Sequence, residues 1–209
     1  MAPVLLGVAV TTSCHFARSG FRTPIVQPGA PGASSHVISH EKAVDLSKVQ
    51  YTPADVQFMQ GMIHHHAQAL DMTALIASRT GRQDMKLLGR RIELSQADEI
   101  KMMQRWLEVR GQEVTSEHAH HMPDAPLMPG MLTAEEMDRF SAANGAEFDR
   151  LFLEGMIKHH GGALVMVDEL FRTAGAGQES EIFAFASDVV TDQKIEIDRM
   201  GAMLMESRK

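Results

Sequence analysis

The chain has 209 residues, a formal net charge of -7 and 22% charged residues. That allows one cored domain with a tail and argues against nucleic acid, which calls for a basic face. No apolar run reaches membrane-spanning length, and the single cysteine excludes an intrachain disulfide and a multi-thiolate metal site, leaving 16 methionines and 11 histidines as the conspicuous counts.

Residues 1–14 open with a short apolar run, Pro3 to Val10, followed by Thr11, Thr12, Ser13 and Cys14. Small residues leading to a cysteine after such a run read as an export signal of the lipoprotein type, although no basic residue precedes it. The expectation is an extracytoplasmic protein (periplasmic, secreted or lipid-anchored) whose only membrane contact is a lipid on Cys14. Residues 15–50 carry Pro24, Pro28, Pro31, Gly20, Gly29 and Gly32, the composition of a flexible tether, with His36 and His40 solvated in it.

Residues 51–207 read as the ordered body. Thr52 is a good N-cap, Pro53 suits the first helical position and Asp55 sits in the first turn. Helical periodicity continues to about Arg79, and a second helix runs from about Arg82 to Arg110, making a hairpin over 52–111. In the linking stretch 112–144, Pro123, Pro126, Pro129 and Gly130 break the pattern, and Thr133 with Glu136 forms a capping box for a short helix. A third long helix to about Ala174 and a fourth from about Gln178 to Glu206 form a second hairpin over 145–206. Four long helices joined in pairs by tight turns predict an all-α four-helix bundle.

The two hairpins are copies of one another. Asp55, Phe58, Gly61, Met62, Ile63, His65, His66, Ala69, Leu70 and Met72 recur 94 residues later as Asp149, Phe152, Gly155, Met156, Ile157, His159, His160, Ala163, Leu164 and Met166. Gln96, Glu99, Ile100, Met103 and Leu107 recur 97 residues later as Gln193, Glu196, Ile197, Met200 and Leu204, so the second hairpin gained three residues at its turn. Two related hairpins should pack about a pseudo-two-fold axis. A packed core accounts for Phe58, Ile63 and Leu70, but it has no need of four histidines at repeated positions.

On a helix, His65 and His66 lie three and four residues beyond Met62 on one face, and Met72 lies two turns beyond His65 on the same stripe. Met156, His159, His160 and Met166 repeat the arrangement. An antiparallel hairpin brings Gln96, Glu99 and Met103 to this level, as it does Gln193, Glu196 and Met200. Thioether sulfur is soft and neutral and favours copper in its reduced state, Cu(I) over Cu(II), while imidazole also suits zinc, iron or nickel. Hard cations want several carboxylates, which are not grouped here. A plain alternative stands beside this one: methionine stripes are ordinarily core, and Asp55 and Asp149 can simply cap or orient. A second cluster, His118, His120, His121, Met122, Met128 and Met131, lies in the Pro/Gly-broken stretch and reads equally as a loose copper site or a solvated loop.

The pattern Asp55-x-x-Phe58-Met59-x-Gly61-Met62-Ile63-x-His65-His66-x-x-Ala69-x-x-Met72, with its second copy, resembles the bacterial domain-of-unknown-function 305 family, whose members include periplasmic copper-binding proteins. The resemblance covers roughly residues 45 to 206, including Gln96, Glu99, Ile100, Met103 and the run Leu127-Met128-Pro129-Gly130-Met131. It implies a ferritin-like four-helix fold, export, and copper or silver binding through Met62, His65, His66, Met72, Met156, His159, His160 and Met166. The family often has proline before the paired histidines, where His64 and Lys158 stand here. The expected function is an exported protein that sequesters or carries copper, not an enzyme, with a metal ion as its partner. Two rivals remain: a ferritin-like di-metal oxidoreductase using Glu99, Glu196 and the four histidines, weakened by the lack of a Glu-x-x-His motif, and a non-metal structural or interaction bundle.

Overall fold

The computed structural model describes residues 23–27, 34–45, 49–114 and 127–207. The chain divides into two compact units, residues 1–48 and 49–209. In the first, β1 (Ile25–Gln27) pairs antiparallel with β2 (His36–Ile38), placing Val26 opposite Val37, and α1 (His40–Val44) starts on a Ser39 cap. Where a tether was expected, the β-branched residues flanking a Pro/Gly stretch pair locally. Val26 and Val37 stay exposed, so no core forms from them. Cys14 lies outside the described residues.

In the second unit the regular elements among the described residues are all helices. Thr52 and Asp55 form a reciprocal capping box that opens α2 (Pro53–Ala74), with Pro53 in the first turn. Periodicity predicts one helix as far as Arg79, but the chain breaks at Leu75 and resumes as α3 (Ile76–Arg79). The Thr73 hydroxyl bonds back to Leu70 O at 3.0 Å, the kind of contact that bends a helix. Ile76 beyond the break fills the notch left by Gly89 on α4 (Gln83–Val109), where a Cβ would lie 2.1 Å from Ile76 Cδ1.

After the linking stretch, a second capping box, Thr133 with Glu136, opens α5 (Ala134–Ala142). The hairpin of α6 (Gly145–Arg172) and α7 (Ser180–Glu206) turns through Gly175 and Gly177, both at positive φ. The main packing partners are α2 with α4, α6 with α7, and α2 with α6. Met72 Cε lies against Gly155 and Met166 Cε against Gly61, so α2 and α6 run antiparallel and equivalent residues meet reciprocally. Each duplicated aspartate reaches the turn of the opposite hairpin. Asp55 accepts from Gly177 N at 2.7 Å, and Asp149 faces Arg82 at 3.8 Å. Both aspartates therefore serve the hairpin ends, well away from the histidine level.

Two apolar clusters fill the interior. One holds Phe58, Met62, Ile100, Trp106, Met166 and Phe185; the other holds Met72, Ile92, Phe140, Phe152, Met156 and Met200. The four repeated histidines belong to neither.

Candidate metal centre

His65, His66, His159 and His160 are all fully buried, as are Met62, Met72 and Met156, and Met166 is 9% exposed. Adjacent histidines on a helix commonly split into one buried and one exposed. Here both members of each pair turn inward, His65 and His159 toward the other hairpin, His66 and His160 toward the second helix of their own. The His65 and His159 rings meet with centroids 3.9 Å apart, tilted by 37°.

Each ring is held through Nε2. His159 Nε2–H donates to His65 O at 2.8 Å and His65 Nε2–H to Pro129 O at 2.9 Å. A carbonyl can only accept, so both rings carry their proton on Nε2 and present the Nδ1 lone pair. His66 Nε2 bonds Glu99 Oε2 at 2.6 Å and His160 Nε2 bonds Glu196 Oε2 at 2.7 Å. Carboxylate–imidazole pairs of this kind fix the orientation of a ring. All four Nδ1 atoms are buried without a hydrogen-bond partner.

Burial, reinforced by the neighbouring His66, pushes the His65 pKa down to about 3. Burial, reinforced by His65, drives His159 well below the ordinary histidine value. Both rings are therefore neutral at physiological pH, the form a metal ion requires.

The methionines pair across the hairpins rather than along one stripe. Met62 shares a cluster with Met166 and Met72 with Met156, so thioethers flank the histidine layer on both sides. Gln96 and Gln193 are buried at 2% and 3%, with Oε1 of each unpartnered. Glu99 and Glu196 each engage their own histidine. Among the described residues, no three His, Cys, Asp or Glu side chains group as a metal site. The donor set fits a soft ion: neutral imidazole lone pairs with thioethers on either side.

Sequence reading missed the strap that fixes His65. Gln68 clamps Leu132 through both amide atoms, at 2.9 and 2.7 Å, and Pro129-Gly130 presses onto α6 at Gly162. Met128 Sδ comes 3.5 Å from the Cβ position at Gly61, beside Met62. The visible signal was Gly162, a helix-interior glycine costing roughly 1 kcal/mol. Met131 is buried, whereas His118, His120, His121 and Met122 lie outside the described residues.

Fold and site define a class: a helical protein with duplicated hairpins enclosing a buried histidine layer flanked by methionines. Residues 55–204 match the profile described as Domain of unknown function (DUF305), and the chain belongs to that family. It is similar to a DUF305 fragment from Deinococcus radiodurans at 32% identity and TM-score 0.64, covering 75% of this chain and 98% of that one. A DUF305 protein from Streptomyces coelicolor, provisionally described as secreted, is 28% identical with TM-score 0.65, over 74% and 93%. CopM in its Cu(I)-bound form is 26% identical with TM-score 0.57, over 75% and 98%, and it has also been solved in Cu(II)-bound and silver-bound forms. No curated protein matches the chain.

Proposed function

We propose that this protein is an extracytoplasmic binder of soft monovalent metal, copper(I) foremost and silver as its analogue, within a ferritin-like four-helix bundle. The eight ligand candidates are Met62, His65, His66, Met72, Met156, His159, His160 and Met166. One observation carries the reading: four buried histidines, each anchored through Nε2, leave Nδ1 unpartnered in a layer walled by thioethers. The copper- and silver-bound forms of CopM support the choice of cargo. The apolar run before Cys14 and the Streptomyces relative support export, with residues 15–50 as the connecting segment.

The protein's own contribution is positioning. Pro129 O, His65 O, Glu99 and Glu196 set the tautomer and orientation of the four rings, and the two apolar clusters exclude water. Anaerobic titration of the full chain with Cu(I) against a competing chelator tests this. Tight binding is expected in the wild type, with a loss of at least about 100-fold in His65→Ala/His159→Ala. Equal binding by both would move the site to the His118–Met131 stretch. No binding by either would leave a structural bundle.

A further inference from the structure

The two carboxylates that hold the histidine layer are not equally exposed. Between α4 and α7 runs a groove of about 670 Å³ whose wall includes Ser95, Glu99, Met102, Phe185, Asp188 and Asp192. Glu99 in this wall is 20% exposed and holds buried His66 at 2.6 Å, so a ring with an unpartnered Nδ1 lies one side chain behind the groove. Its Oε1 also accepts from Ser95 Oγ at 3.1 Å. The duplicate carboxylate, Glu196, is 6% exposed and faces Arg91 Nε at 3.5 Å.

The repeat shows what changed. In the 97-residue register, the position of Arg91 is taken by Asp188 in the second hairpin, and Met102 corresponds to Arg199. A cation therefore stands beside Glu196, whereas at the duplicated position an acid shares the groove wall with Glu99. The groove also has a thioether where the duplicated position has a guanidinium. The charges near Glu99 are Asp98, Asp188 and Asp192, with Asp98 paired to Lys101 at 3.0 Å. The groove's two arginines belong to its Trp106 end. There Arg110 is engaged by Glu181 at 2.6 Å and lies over the Trp106 ring at 4.3 Å, and Arg105 is the neighbour of Trp106. Acids outnumber bases in the lining, five to two, and an excess of one sign of charge concentrates counter-ions at a surface.

We propose that the cargo cation enters and leaves through this groove, drawn by Asp188 and Asp192, met by the Met102 sulfur and delivered past Glu99 to His66, while Arg91 closes the equivalent route to His160. The cargo's identity rests on the copper reading; the asymmetry of access does not.

Two measurements on the full chain test it. The first is exchange of the histidine ring C2 protons with deuterated solvent, read by mass spectrometry without metal. His66 should exchange faster than His160, and Arg91→Asp should accelerate His160. Equal rates at the two rings in the wild type would overturn the entrance. The second is the rate of Cu(I) transfer from a chelator. Asp188→Arg should slow uptake about tenfold and flatten its salt dependence. Wild-type uptake in Asp188→Arg would overturn the role of the groove. If the wild type takes up no Cu(I) while His66 still exchanges ahead of His160, the copper reading falls and the groove stands as the open face of the layer. Both positions are exposed, so charge reversal at either spares the core.

Discussion

His65 and His159 meet ring to ring at the centre of the helical body, each with Nε2 committed to a carbonyl. Their pKa values lie below the unfolded value of about 6.5, and this sets the direction of the pH dependence. Below about pH 6.5 the unfolded chain takes up protons that these rings refuse, so folded stability is complete above that pH and declines as pH falls toward the His65 value of about 3. Thermal unfolding of the metal-free chain should show a plateau at and above about pH 7 and a falling midpoint from about pH 6 downward. The His65→Gln/His159→Gln variant should lose much of that slope. An unchanged slope would mean that these rings are not the groups responsible. The histidine pairs were legible from spacing alone. Their tautomers were not, because the acceptors are backbone oxygens supplied by a loop 64 residues away and by the other hairpin.

Among the elements, the strap at 127–132 depends on one close approach. A Cβ on Gly162 would come 1.9 Å from Pro129 O, whereas a Cβ on Gly161 meets nothing within 4 Å. The adjacent glycines therefore separate packing from helix propensity. Gly162→Ala should destabilise by about 1–3 kcal/mol by displacing the strap, while Gly161→Ala should be stabilising by up to about 1 kcal/mol. Chemical denaturation of the two variants checks the contrast, and similar outcomes would show that the strap yields freely. Gly130 adds a backbone reason of its own, sitting at φ 76° with Lys158 O 2.4 Å from its Cβ position. The long helices and both capping boxes rest on local signals. The break at Leu75 was not read from the chain because Thr73 back-bonding and the Ile76–Gly89 fit compete with an uninterrupted apolar pattern.

For the molecule as a whole, every buried core residue among those described falls between Asp55 and Met203. A chain beginning at Val49 should therefore unfold with the same cooperativity as the full chain, its stability within about 0.5 kcal/mol. A larger loss in denaturant titrations would assign the first unit a structural role. The sequence by itself determined the duplication, the helical class and the kinds of donor side chain on offer, because these follow from periodicity, caps and residue chemistry acting over a few turns. Tertiary structure alone decided that Met62 joins Met166 and Met72 joins Met156, since antiparallel packing of α2 on α6 crosses the two copies. It likewise decided that Asp55 and Asp149 reach opposite turns and that Arg91 pairs with Glu196 while Asp188 and Glu99 share one groove. The repeat predicts equal halves. Which half opens depends on the charge that a neighbouring helix lays over each carboxylate, a long-range contact that local patterning does not encode.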